Sequence, residues 1–118
     1  MDTFEILSQL CSAAGVSGAE GSAAETAAKL LEEYGEVTLD NALGSVICKV
    51  GSWEDGKPVV LLDAHIDEIG MIVTYITEDG FLKISGCGGL DTRLLLAQQV
   101  TVYGKEKLTG IVTSTPPH

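Results

Sequence analysis

The residues of this sequence that could do chemistry are concentrated in one short segment, 63–68. His65 and Asp67 lie two positions apart, which in an extended chain places both side chains on one face. A neutral imidazole can bind a metal ion through one nitrogen while a carboxylate accepts a hydrogen bond from the other. The alternative is an ordinary surface pair at the end of a strand. The cluster of Asp63, Asp67 and Glu68 favours metal binding, because neighbouring carboxylates repel each other unless a cation or water compensates.

The element that must position this segment is the apolar run 59–62, which follows Pro58. A continuous apolar run is typical of a strand that is buried on both faces of a sheet. In open α/β sheets, ligands bind in the crevice at the carboxyl ends of such strands. We therefore predict that His65 lies at the carboxyl end of a buried strand, with its ring either close to the Asp67 carboxylate or facing the cleft.

Further elements are predicted on both sides of this run. Apolar residues at helical spacing indicate two helices, and Gly35 is well placed to cap the second. The glycine-rich turn between them offers Ser17 or Ser22 as a helix cap, and we assign no chemistry to Ser17 or Glu20. After Gly70 the pattern becomes all-β, with an Asp-Gly turn signal at 79–80. The predicted helices cover 3–14 and 23–34, and the other predicted strands cover 36–40, 45–50, 71–76, 81–84, 99–103 and 108–112.

The composition narrows the classes of function. With 17 acidic and 7 basic residues, the formal charge is -10, which argues against binding to nucleic acid or to anionic membrane surfaces. The three cysteines have wide, dissimilar spacing, which predicts reduced and mostly buried thiols rather than a zinc or disulfide framework. The first residues lack the positive charges and the apolar run of a signal peptide. A soluble cytoplasmic protein is the expectation.

Several segments in order resemble one family of enzymes. Residues 62–73, which contain His65 and Asp67, are similar to the first metal-ligand segment of the glutamyl and deblocking aminopeptidases that assemble as tetrahedral particles. These aminopeptidases are dinuclear metallopeptidases. The other similar segments are 15–20, 88–93, 95–100 and 110–118.

The resemblance implies a fold and a site. It implies a mixed α/β fold, in which residues 1–69 are the N-terminal part of the catalytic domain and residues 70–118 begin an inserted, β-barrel-like domain involved in dimerisation. It implies that His65 is a ligand of one of two divalent metal ions, zinc or cobalt, in the complete enzyme. Asp67 would be the catalytic-site carboxylate that supports this ligand. Whether the chain by itself binds a metal is left open.

The resemblance also implies a function, and a second function remains possible beside it. The remaining metal ligands and the general base of the family have no counterpart in these 118 residues. The chain is therefore expected to be the N-terminal portion of a homo-oligomeric aminopeptidase that acts on peptides, and to be inactive by itself. The alternative is a non-catalytic, oligomerising β-rich module.

Overall fold

A computed structural model describes residues 2–40 and 42–115 of the chain. Within these ranges the chain forms two α-helices followed by three antiparallel hairpins of two strands each. The mixed fold class is therefore confirmed. The helices are α1 (Thr3–Ser12) and α2 (Gly21–Leu31), the strands are β1 (Glu36–Leu39), β2 (Val46–Lys49), β3 (Gly70–Ile76), β4 (Leu82–Cys87), β5 (Gln99–Tyr103) and β6 (Lys107–Ile111), and a short 3-10 helix covers Thr92–Leu94.

Helix α1 begins with a reciprocal cap. The Asp2 carboxylate accepts a hydrogen bond from the backbone N–H of Glu5 at 2.8 Å, and the Glu5 carboxylate accepts one from the backbone N–H of Asp2 at 3.2 Å. These bonds satisfy two backbone donors that a helix start otherwise leaves without partners. The helix ends at Ser12, close to the predicted end.

Helix α2 carries the core of the described chain. Its residues Ala23, Ala24, Ala28 and Leu30 are the buried hydrophobic residues of the described ranges. Three of the four are alanines, so the backbones of α1 and of the β1–β2 hairpin can approach the helix closely. This core is small, because alanine contributes little apolar area to burial.

Gly35 has a different role from the predicted helix cap. Helix α2 ends at Leu31, and Gly35 does not adopt the positive φ that favours glycine at a cap. A Cβ at Gly35 would instead overlap the backbone carbonyl of Lys49 on the paired strand β2. The absence of a side chain therefore lets the start of the β1–β2 hairpin close.

Replacing Gly35 with alanine is expected to lower the free energy of unfolding by about 1–3 kcal/mol, because the added methyl group must displace backbone atoms of β2. Urea unfolding followed by circular dichroism measures the change. The matched control is Gly21→Ala at the start of α2, where an added Cβ meets no atom within 4 Å. Equal destabilisation by both substitutions would contradict the assigned role of Gly35.

The hairpins after Gly70 follow the predicted pattern. Strands β3 and β4 pair from Gly70 with Cys87 to Ile76 with Leu82, and Gly80 in the connecting turn has φ +84°. Strands β5 and β6 pair from Gln99 with Ile111 to Tyr103 with Lys107. The two hairpins line an apolar groove of about 550 Å³ that includes Met71, Leu82, Val100, Leu108 and Ile111.

The molecule is extended rather than compact. Its accessible surface is 9849 Å², whereas a compact monomer of this mass exposes about 6,100 Å². Its radius of gyration is 18.9 Å, against about 13.5 Å for a compact domain of this length. Much apolar surface of the hairpins therefore lies uncovered. No helix in residues 2–40 or 42–115 combines the length and the apolar character needed to cross a bilayer.

The prediction of a buried strand over 59–62 is wrong for this structure. The segment has no regular structure, and its side chains are exposed, from 62% for Val59 to 91% for Leu62. A strand needs hydrogen-bonded neighbours, and a strand buried on both faces also needs a covering layer on each side. Among the described residues, β1 and β2 pair only with each other, so no sheet receives this segment.

The thiols are only partly as predicted. Cys11, Cys48 and Cys87 are all free, which agrees with the expected reduced state. Cys11 is exposed and the other two are half-buried, so the prediction of mostly buried thiols is wrong.

Candidate functional site

The turn between the two helices binds the segment that contains His65. Val16 and Glu68 form an isolated parallel β-bridge, in which the backbone N–H of Glu68 donates to the carbonyl of Gly15 at 2.8 Å. The backbone N–H of Gly15 donates in turn to the Glu68 carboxylate at 3.2 Å. Gly70 completes the contact, because the Val16 side chain occupies the space that a Cβ at Gly70 would need. We call this contact the 15–17/67–70 junction.

Three side chains meet at this junction. The Ser17 hydroxyl donates a hydrogen bond to Asp67 Oδ2 at 2.5 Å. Asp67 Oδ1 lies 3.1 Å from His65 Nδ1, and the backbone carbonyl of Asp67 lies at the same distance from this nitrogen. Each carboxylate oxygen of Asp67 therefore has one side-chain partner, and the predicted proximity of His65 and Asp67 is found.

The partners of His65 Nδ1 fix the position of its proton. A backbone carbonyl and an ionised carboxylate can only accept hydrogen bonds, so Nδ1 must be the donor. In the neutral ring the lone pair then lies on Nε2. The His65 side chain is 86% exposed, so Nε2 is accessible from outside the chain.

The surroundings of Asp67 lower the pKa of its carboxyl group. The hydrogen bond from Ser17 is the largest cause, and the hydrogen bond from His65 is the next. Both favour the charged form, and they outweigh desolvation, which acts in the opposite direction. Asp67 is therefore ionised at neutral pH, as an acceptor for the Nδ1 proton must be.

Removal of the Ser17 hydroxyl is expected to raise the pKa of Asp67 towards its ordinary value, because the bond that most favours the carboxylate is lost. Since the pKa is depressed in the folded chain, the contribution to stability is complete above the unfolded-state pKa and is lost as the pH falls through the folded-state pKa. Carbon-13 NMR of the Asp67 carboxyl group in metal-free Ser17→Ala protein measures the change. An identical titration in the two proteins would refute the assignment.

The other predicted carboxylates do not join this cluster. Glu68 points to Gly15, and no contact between Asp63 and His65 is found among the described residues. Residues 2–40 and 42–115 contain no group of three or more His, Cys, Asp or Glu side chains placed to hold a metal ion. The second histidine, His118, lies outside the described residues.

Sequence reasoning missed Ser17, which it offered only as a helix cap. Helix α2 begins without a side-chain cap, and Ser17 bonds instead to a residue 50 positions later. The signal that could have found it is the joint similarity of segments 15–20 and 62–73 to the same family. A further local pair, in which Arg93 donates to both carboxylate oxygens of Asp91 at 2.9 and 2.7 Å, was also not predicted.

A family model matches the part of the chain that contains the His65–Asp67 pair. The model describes the M42 glutamyl aminopeptidases and matches residues 44–118, more than half of the chain. The chain belongs to the M42 glutamyl aminopeptidase family. Its His65–Asp67 pair therefore lies in the matched region, and Ser17 lies before it.

Similar proteins extend this M42 similarity over the whole chain. The protein FrvX of Escherichia coli is 36% identical over 118 residues, which are 98% of this chain and 32% of FrvX. The lysyl aminopeptidase of Pyrococcus furiosus is 29% identical over 120 residues, which cover 100% of this chain and 34% of that protein. The M42 chain thus spans about a third of the length of these relatives.

Solved structures also match nearly the whole of this chain, which again covers about a third of their length. A TET aminopeptidase from a marine sediment Thaumarchaeota archaeon superposes with a TM-score of 0.84 at 35% identity, over 98% of this chain and 32% of that one. The TET1 peptidase of Pyrococcus horikoshii, described as assembling into a tetrahedron or a large octahedral shell, gives 0.81 at 34% identity, over 99% and 34% of the two chains. The M42 chain matches the N-terminal part of the TET aminopeptidase structures.

Proposed function

We propose that this M42 chain is the N-terminal portion of a dinuclear, metal-dependent aminopeptidase, and that His65 supplies one ligand to one of the two metal ions. The observation that carries the proposal is the hydrogen bond between His65 Nδ1 and Asp67, which leaves Nε2 free to bind a metal. A histidine that binds a metal almost always donates its other ring N–H to a carboxylate, a carbonyl or water. Here both a carboxylate and a carbonyl accept this proton.

The donor set fits one ligand position rather than a whole site. Zinc sites in proteins need three or four protein ligands, and the described residues supply one histidine with its supporting carboxylate. When bound, such a metal pair would polarise the scissile carbonyl and lower the pKa of a shared water. The residues of this chain would contribute by positioning the metal ligand. Asp67 holds the His65 ring in one tautomer and one orientation. Its negative charge also raises the basicity of Nε2, which makes this nitrogen a stronger ligand for a metal ion.

We also propose a division of the chain into two domains. Residues 1–69 would begin the catalytic α/β domain, and residues 70–118 would begin the inserted, β-rich domain. The proposal is supported by the change in architecture at Gly70, where helices and one hairpin give way to two further hairpins. The His65–Asp67 pair would then lie immediately before the domain boundary.

The proposal predicts self-association. The chain exposes nearly 10,000 Å² of accessible surface, much of it apolar, which is more than a compact monomer of this mass exposes. Stable interfaces bury upwards of roughly 1,000 Å², so this excess is large enough to form one. The hairpins also present unpaired strand edges, which pair readily with other chains. We expect dynamic light scattering to find a dimer or a larger homo-oligomer at micromolar concentration. A single species at 12.3 kDa over a dilution series would refute self-association of the chain.

A non-catalytic, oligomerising module is the second candidate, and the apolar groove between the β3–β4 and β5–β6 hairpins favours it. The two candidates differ in what the gene encodes after His118. An aminopeptidase requires further carboxylates and a histidine downstream, whereas a module requires none. The test of the enzyme is metal-dependent hydrolysis of peptides by the protein at the length that its gene encodes. Hydrolysis that a chelator abolishes and added zinc or cobalt restores supports the enzyme, and its absence supports the module.

A further inference from the structure

We propose that Ser17 is a positioning residue for His65. Through its hydrogen bond to Asp67, it holds the carboxylate in the orientation that keeps the His65 proton on Nδ1 and the lone pair on Nε2. This inference rests on the proposed function, because the lone pair matters if Nε2 binds a metal. The inference gives Ser17 a role in the chemistry of His65, whereas its sequence context indicated only a possible helix cap.

The geometry begins with the carboxylate. Asp67 Oδ2 accepts from Ser17 at 2.5 Å, and Asp67 Oδ1 accepts from His65 at 3.1 Å. With one oxygen fixed by the hydroxyl, the plane of the carboxylate cannot turn freely, so the second oxygen stays directed at Nδ1. Without the hydroxyl, the exposed Asp67 side chain can rotate into solvent, and the imidazole loses a fixed acceptor.

The backbone makes this positioning possible. Ser17 reaches Asp67 because the parallel bridge between Val16 and Glu68 brings the two segments side by side. The bond from the Glu68 N–H to the Gly15 carbonyl at 2.8 Å does not depend on any side chain. The turn can therefore keep its backbone contact with segment 67–70 when the Ser17 hydroxyl is removed. A substitution at Ser17 then tests the orientation of the Asp67 carboxylate separately from the contact between the two segments.

The tautomer of His65 is the direct readout. Long-range ¹H–¹⁵N NMR distinguishes the ring nitrogen that carries the proton. Since the chain has 2 histidines, a His118→Gln background isolates the His65 signal. Spectra are recorded with EDTA present and at a pH where the ring is neutral. We expect the Nδ1–H form to dominate, although free histidine in water prefers the Nε2–H form.

We expect Ser17→Ala to shift the tautomer ratio towards Nε2–H by about threefold to tenfold, the range that one hydrogen bond of ordinary net strength supports. Ser17→Thr keeps a hydroxyl and should restore the ratio. Glu68→Ala removes only the side-chain part of the docking and should leave the ratio unchanged.

Three results would overturn the inference. They are an unchanged ratio in Ser17→Ala, a failure of Ser17→Thr to restore it, and a shift in Glu68→Ala as large as that in Ser17→Ala. The measurement uses metal-free protein, so its outcome is independent of whether His65 binds a metal. A failure of the proposed function would appear instead as an active enzyme that does not need His65.

Discussion

Replacing His65 with alanine, in the protein at the length that its gene encodes, is expected to reduce metal-dependent aminopeptidase turnover by about a thousandfold. The reason is that a metal acting as a Lewis acid supplies several kcal/mol of transition-state stabilisation, and under the proposed function an alanine would leave one metal with a missing ligand. Turnover of aminoacyl p-nitroanilides, together with the metal content of the dialysed protein, measures the effect. The metal content should fall along with the activity.

Two further variants make this result specific. Asp67→Asn would keep His65 as the proposed ligand but weaken the hydrogen bond that supports it, and outer partners of this kind are worth about 10–100-fold in metal affinity or activity. Lys57→Ala removes an exposed ion pair with Glu54 and should change nothing. If the His65→Ala protein retained full activity and full metal content, the ligand assignment would be wrong.

The 118-residue chain alone is expected to release no amino acids from peptides above background, even with added zinc or cobalt. A catalytic zinc ion needs three protein ligands and an open position, and residues 2–40 and 42–115 bring no three candidate ligands together. The His65–Asp67 pair is therefore expected to have no catalytic activity by itself.

Contaminating peptidases are the main risk in that experiment. A His65→Ala preparation, purified in the same way, carries the same contaminants and sets the background. Metal-dependent hydrolysis by the unsubstituted chain that clearly exceeds this background would show that the site is complete without further residues. Under the proposed function, the protein at the length that its gene encodes should, in contrast, be active.

The elements that sequence analysis predicted correctly are those whose signals are local. The Asp79-Gly80 turn and the β-type segments on both sides of it specify the β3–β4 hairpin within a few residues of chain. Helix α1 was likewise predicted from a local signal, the helical spacing of its apolar residues, and its capping box of Asp2 and Glu5 was found only in the structure. Such features depend little on what lies elsewhere in the protein, so their bounds fell within three residues of the prediction in most cases.

Features that depend on distant parts of the chain were not predictable in this way. An apolar run such as 59–62 indicates that burial is required, but the covering layers must come from other segments. The bond between Ser17 and Asp67 joins residues 50 positions apart, and no periodicity reports such a contact. The steric need for Gly35 likewise arises from Lys49 on the neighbouring strand.

The 15–17/67–70 junction also determines the order in which the chain can assemble. The hairpins and helices close over short loops, whereas the junction closes a loop of about 50 residues, and loop-closure entropy rises by about 0.6 kcal/mol with each doubling of length. The junction should therefore form after the hairpins and open before them in local unfolding. In hydrogen exchange the Glu68 amide would lose protection before the amides of β3 do. The His65 tautomer would then be set last during folding and released first, while most of the secondary structure is still intact.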